Sequence, residues 1–262
     1  TGRPFITKWQ GKAGEELKFP IVGTDYKLVI KDAHGKVVTI EEKVTVTDYY
    51  AFTPKADGVY TVEAGPEGVK YMRMKTEKKN GKDLLLTSNA QLLEVVQFGT
   101  VAWKSMERMF RECEKMTFAA GIDTPDLTKV TDMSWMFAYC SAFNQPLGGW
   151  DVSKVTDMGG MFGGCSAFNQ PLEKWNVSEV CNMDGMFTNC KSFNQPLENW
   201  DVSKVNNMGL MFYDCSAFNQ PLGGWDVSKV TDMGGMFGGC SAFNQPLEKW
   251  NVSEVCNMDG MF

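Results

Sequence analysis

A cysteine recurs every 25 residues along the second half of the chain, at Cys140, Cys165, Cys190, Cys215 and Cys240, with Cys113 27 residues ahead of the first. The repeat from Cys140 reads CSAFNQPLGGWDVSKVTDMGGMFGG, and the next reads CSAFNQPLEKWNVSEVCNMDGMFTN. Residues 140–187 and 215–262 are identical at an offset of 75. One such repeat cannot fold alone. About eight large side chains contribute roughly 12–24 kcal/mol of gross burial. Ordering a segment of that length costs on the order of 25–50 kcal/mol. The repeats must therefore stack, each completing its neighbour's interface. The Cys113 repeat is degenerate, and VQFGTVAWKSMERMFRE (96–112) keeps only the Met-Phe pair, as an entry cap would.

Two periods run inside each repeat. Trp150 and Val152 alternate around Asp151, which predicts a short strand. Val155, Met158, Met161, Phe162 and Cys165 follow at the spacing of one helical face. Asp157, like Asn182 and Asn207, stands where a helix N-cap is wanted. Glycine pairs at 159–160 and 163–164 limit that helix to one or two turns. Stacked in register, the Trp, Phe, Met and Cys columns form the core, and the strands form a parallel sheet.

Residues 1–82 contain no cysteine and no such repeat. ELKFPIV (16–22), YKLVIKD (26–32), KVVTIEEKVTV (36–46), GVYTVEAG (58–65) and VKYMRMKT (69–76) are β-rich runs, separated by turn signals at AHGK and PKADG. The pattern predicts an antiparallel β-sandwich of immunoglobulin-like type. The expected class is α+β. The sandwich occupies 1–82, and a solenoid with a parallel sheet follows over 83–262. Within the latter, 83–112 is the entry cap and 113–262 holds six repeats, the last truncated.

The motif FNQPLxxWDVSKVTDMxxMFxxC resembles the BspA-like, leucine-rich-repeat-related units of bacterial surface proteins and lipoproteins. PFITKWQG and AWKSMERMF are similar to the front of members of that group. The resemblance implies a secreted, surface-exposed, right-handed solenoid used in adhesion. It carries over no catalytic residue and names no ligand.

Chemistry is sparse. The single histidine, His34, lies in the AHGK turn, which leaves a Ser-His or Cys-His pair only if His34 meets a distant nucleophile. No GxxxxGK[ST], HExxH or GxSxG motif occurs. Neighbouring cysteines stack with parallel Cβ vectors about 4.8 Å apart, longer than a disulfide prefers, so a ladder of buried thiols is expected. Cys181 and Cys256 stand at a predicted helix start, where a reactive thiol is conceivable and a harmless substitution is the simpler reading. Asp126, Asp151, Asp201 and Asp226 are copies of one position rather than a unique pair for glycoside hydrolysis. No metal or other cofactor is expected.

The net charge of −6 and pI near 5.0 argue against a nucleic-acid partner. No apolar run is long enough to span a membrane. The opening TGRPFITKW lacks the features of a secretory signal, and the last repeat stops at Phe262, two residues short of a full unit, as in a trimmed chain. With Trp and Val inward, the outward row comprises Asp126, Asp151, Lys174, Asn176, Asn199, Asp201, Asp226, Lys249 and Asn251, on a concave sheet. Lys154, Glu179 and Lys204 add a ladder of alternating charge beside it. The expectation is a monomeric, non-enzymatic cell-surface module binding a protein or glycan through that row. A structural spacer or variable surface antigen is the alternative, and a glycan-processing enzyme a disfavoured third.

Overall fold

The computed structural model describes residues 2–262 and divides into two compact units, the first ending at Lys129 and the second running Val130–Phe262. The first unit holds all the regular strands. These are β1 (Phe5–Gly11), β2 (Leu17–Phe19), β3 (Ile21–Lys31), β4 (Val37–Val46), β5 (Tyr50–Phe52), β6 (Gly58–Ala64), β7 (Val69–Met72), β8 (Thr76–Lys79), β9 (Lys82–Leu85), β10 (Leu92–Gln97) and β11 (Thr117–Phe118). The main sheet has the order β11-β10-β1-β6-β3-β4, with β7 also paired to β3. Its pairs are antiparallel except β10–β11, which is parallel, so the sheet is mixed. β2–β5 and β8–β9 are separate two-stranded ribbons.

This arrangement corrects the expected antiparallel sandwich. The missing element is β1, whose alternating Phe5, Thr7 and Trp9 face the core. It pairs β6 on one side and β10 on the other, drawing residues beyond 82 into the same sheet. Trp9 packs on Phe19 at 4.9 Å between ring centroids and satisfies its indole N–H on Thr7 Oγ1 at 2.7 Å. Asp123 accepts the Phe98 and Gly99 N–H groups at 2.7 and 2.9 Å, which holds the segment after β11 to the end of β10.

The second unit is a stack of repeats, but it contains neither the predicted helix nor the predicted strand. Among the described residues there is no α-helix, only a three-residue 3-10 turn at Asn89–Gln91 in the first unit. The α+β class is therefore wrong, and so is the parallel sheet at the WDV positions. The backbone hydrogen bonds give the reason. Met158, Gly160, Phe162 and Gly164 donate to the carbonyls of Asn182, Asp184, Met186 and Thr188 in the next repeat, at 2.7–3.0 Å. Met161, Gly163 and Cys165 instead donate three residues back within their own repeat. A helix needs every N–H turned to its own segment; here alternate N–H groups leave it.

Left-handed residues every fourth position produce this alternation. Trp135, Gly160, Gly185, Leu210, Gly235 and Gly260 all have φ between 56° and 64°. Tyr139, Gly164, Asn189, Asp214 and Gly239 form a second such column. Tight turns with apolar residues at intervals of 3, 1 and 3 mimic one face of a helix, which misleads a periodicity argument. Trp150 and Val155 also close turns, on Leu147 and Val152, so no strand forms there. The parallel pairing between repeats is confined to isolated bridges, from Asp132 through Asp157, Asn182, Asn207 and Asp232 to Asn257.

The repeat core is columnar. Phe162, Phe187, Phe212 and Phe237 stack at 5.6–5.7 Å with rings within 8° of parallel. Phe168, Phe193 and Phe218 form a second column, each 4.2–4.3 Å from the ring six residues before it in the first. Polar atoms in this core bond to the preceding repeat. The indole N–H groups of Trp175, Trp200, Trp225 and Trp250 donate to Leu147, Leu172, Leu197 and Leu222 carbonyls at 2.9–3.0 Å. The thiols of Cys165, Cys190 and Cys215 donate to the Phe137, Phe162 and Phe187 carbonyls at 2.8–3.0 Å. Asn169 N and the Gln170 side chain both bond Asn144, and the same pattern climbs the stack.

Two outcomes follow from this packing. A side chain on Gly185 would meet nothing nearer than Thr188 Oγ1 at 3.4 Å, whereas one on Gly160 would lie 2.6 Å from the Trp135 ring. Gly185→Ala should therefore cost only the left-handed backbone penalty, about 1–2 kcal/mol. Gly160→Ala should cost clearly more in denaturant melts, and equal losses would contradict the role given to Trp135. Burial, and then the neighbouring thiols, push the Cys190 thiol well above its ordinary range. Cys181 and Cys256 are exposed. A thiol reagent at pH 8 should label those two at once and Cys190 only on unfolding, as read by peptide mapping.

Candidate functional site

The row of outward residues is exposed at every position: Asp126 in the first unit, and Asp151, Lys174, Asn176, Asn199, Asp201, Asp226, Lys249 and Asn251 in the second. It runs along turns, however, so it is not the concave face of a sheet. The Asx residues that follow Pro125 or a tryptophan have a second task. Oδ1 of Asp151, Asn176, Asp201, Asp226 and Asn251 accepts the N–H of the serine two residues on, at 3.0–3.1 Å. Asp126 does the same with Thr128, accepting both its N–H and its hydroxyl at 3.0 and 2.7 Å. These are Asx turns, which Asp and Asn close equally well. That explains why the two alternate along the row, and it leaves Oδ2 of each aspartate to face solvent.

The hydroxyl and N–H of the following Ser or Thr hold the carboxyls of Asp126, Asp151, Asp201 and Asp226 below the ordinary aspartate value of 3.8, with a smaller contribution from Lys129, Lys154, Lys204 and Lys229. The row is thus fully ionised at neutral pH. Of the charge ladder beside it, the structure brings together Lys204 and Glu179, at 2.8 Å with both half-exposed. Among the described residues Lys154 makes no ion pair with Glu179, and Lys229 none with Glu254.

Asp157, Asn182 and Asn207, predicted as helix caps, close turns as well, and Asp232 does the same. Asp157, Asn182, Asn207 and Asp232 accept the N–H two residues ahead at 2.8–3.0 Å. Asn182 Nδ2 also donates to Asp157 Oδ1 at 3.1 Å. Asp184, half-buried beside this column, behaves in the opposite way to the exposed row. Burial first, then the charges of Asp232 and Asp157, raise its carboxyl above the ordinary value.

His34 lines a depression of about 540 Å³ at the β3–β4 turn, with Lys36, Phe52, Lys55 and Tyr60. No serine or cysteine lines it, so it holds neither a Ser-His nor a Cys-His pair. Trp135, Tyr139, Leu210 and Tyr213 stand outside the predicted row. The last three are exposed by 39–46%. Their signal was departure from the repeat, since each replaces a glycine or small residue of its column. Among the described residues no cluster of metal-ligating side chains occurs, and no helix is long and apolar enough to cross a membrane.

The model of a family described as "Mycoplasma protein of unknown function, DUF285" matches residues 104–223 and 195–262. No curated protein and no solved structure matches the chain.

Opposite pH responses separate the two kinds of carboxylate. Asp184 is protonated more readily in the folded chain, so its ionisation removes stability as pH rises from 3.8 through its folded value. Asp184→Asn should raise the melting temperature at pH 7. The gain should vanish below the ordinary aspartate range, where both states are protonated. The exposed row has the reverse sign: stability present above 3.8 is lost as those carboxylates protonate. Carboxyl NMR titration of Asp151 and Asp184 should show them on opposite sides of the ordinary value.

Proposed function

We propose that this chain, which belongs to the DUF285 family through a match over more than half its length, is a non-catalytic interaction module of a bacterial surface protein. The observation that supports this best is the exposed Asx-Ser row. One turn geometry recurs from Asp151 to Asn251, leaving a carboxylate oxygen at each aspartate and an amide NH2 at each asparagine. A surface of like turns, one per repeat, suits a partner that is itself repetitive, such as a glycan or an extended protein. Weak contacts then add up through multivalency. The likeness of the repeat to BspA-like units supports placement outside the cell, in adhesion. The buried thiols, which need no disulfide to be satisfied, are compatible with that setting and do not require it.

The alternative is a spacer or variable surface antigen without a defined ligand. The identical blocks at 140–187 and 215–262 favour it, because such copies permit repeat number to change by recombination. A hydrolase is the weaker reading, because repeated carboxylates supply copies rather than a unique acid and base.

The Asx turn provides a clean test. Asn already closes it at Asn176 and Asn251, so Asp151→Asn, Asp201→Asn and Asp226→Asn together should keep the turns and the fold, with only a small loss of melting temperature at pH 7, while removing charge from the row. The wild type and this triple variant should be compared on a panel of immobilised matrix proteins and polysaccharides. Binding that weakens several-fold in the variant supports the row as the contact surface. Undiminished binding would refute it, and a wild type that binds nothing on the panel would favour the spacer.

A further inference from the structure

One face of the second unit carries acid and no base. Segments 130–140, 155–165, 180–190, 205–215, 230–240 and 255–262 contain no Lys or Arg, yet hold Asp132, Asp157, Asp184, Asp214, Asp232 and Asp259. The inter-repeat bridges run through these segments and bring them side by side. Oδ1 atoms of Asp184, Asn207 and Asp232 converge over Gly209, lying 3.0–3.2 Å from where its side chain would begin. Leu210 and Tyr213 stand beside them, forming with Asp184, Asp232 and Asp259 an open depression of about 410 Å³. Among the described residues no cation pairs with Asp184, Asp232 or Asp259.

The first unit carries a complementary element. β8 and β9 pair only with each other, across an Asn80-Gly81 turn with both residues at positive φ. A two-stranded ribbon is marginal in water by itself. This one opposes Lys79 directly to Lys82 and exposes Leu84 and Leu85 by 42% and 44%. Like charges across a pair are destabilising. Lys78, Lys79 and Lys82 have no ion-pair partner among the described residues. Alternation places Lys79, Lys82 and Leu84 on one face of the ribbon, with Glu77 opposite Leu84 and the two lysines at the turn end.

We propose that the β8–β9 ribbon of one copy docks on the acidic face of a second copy. Lys79 and Lys82 then meet Asp184, Asp232 and Asp259, while Leu84 packs on Leu210 and Tyr213. The lysines at the turn end of the ribbon meet a face that holds acids and no base, and each surface has an apolar group beside its charges. The contact is heterologous, so each pairing leaves one ribbon and one face open and association grows with concentration. It is independent of the Asx-Ser row, and it departs from the monomer expected from sequence because both surfaces become visible only in the fold.

Sedimentation velocity on the full chain tests this. At low ionic strength the average mass should rise with protein concentration. At high salt it should return to the monomer, because the screening length falls from about 30 Å at 0.01 M to about 3 Å at 1 M. Lys79→Glu with Lys82→Glu should abolish association. Asp184→Lys with Asp259→Lys should abolish it too, and an equimolar mixture of the two variants should restore it. Asp184→Asn with Asp259→Asn guards against misfolding and should weaken association at least several-fold, with an unaltered circular dichroism spectrum. A wild type that stays monomeric at low salt overturns the proposal, even if an oligolysine peptide binds the face, since the occupant is then not a second copy. Association unchanged in the Asn variant, or no restoration on mixing folded variants, overturns it as well. None of these variants alters the Asx-Ser row, so failure here leaves the proposed function standing.

Discussion

The hydrogen bonds that leave each repeat for the next hold the second unit together. Because the N–H groups of Met158, Gly160, Phe162 and Gly164 are satisfied only by the following repeat, no repeat can keep its conformation without a neighbour. The side chains obey the same rule. Trp175 Nε1 and Cys165 Sγ reach the carbonyls of Leu147 and Phe137 in the preceding repeat. Removing those contacts would strand buried donors, each at a cost of about 1–3 kcal/mol. Backbone and side chain thus enforce the same register, and the aromatic columns inherit it.

The repeat, its length and its inward residues were legible in the sequence, since Trp150, Val152, Val155, Met158, Met161, Phe162 and Cys165 are all buried. The local conformation was not. Apolar spacing reports which side chains share a face, and successive tight turns share it as a helix does. The glycine pairs held the correcting information: Gly160 and Gly164 sit at positive φ, and that pattern turns alternate amides outward. In the first unit the long runs around β3, β4 and β6 could be read, but β1 was missed. Its Thr7, buried and bonded to Trp9, breaks the apolar pattern that marks a strand.

The outward row shows why site residues are harder to read than core residues. Exposure of Asp151 and its copies followed from alternation with Trp and Val, although the strand that justified it does not exist. Corner and strand happen to present the same side chains. Sequence could not show that Oδ1 of each Asx is already engaged by the following serine. The available chemistry is therefore one oxygen per aspartate, with Lys154, Lys204 and Lys229 close behind in sequence.

A repeat array also divides its residues by whether they obey the repeat. Residues that obey it, such as the Phe, Trp, Cys and Asn-Gln ladders, each bond a copy of the next, and their repetition is what stacking requires. Residues that depart from it owe nothing to register. Trp135 and Leu210 take left-handed conformations that glycine adopts freely at Gly160, Gly185 and Gly235, and such residues carry a penalty of about 1–2 kcal/mol. Each leans over the glycine of the following repeat, Trp135 over Gly160 and Leu210 over Gly235. The backbone strain is offset by that contact only in part, because Leu210 remains 44% exposed. A large apolar side chain kept in a strained, half-exposed position among glycines is not explained by stacking. The distinctive surface of this array is therefore to be sought where its repetition fails.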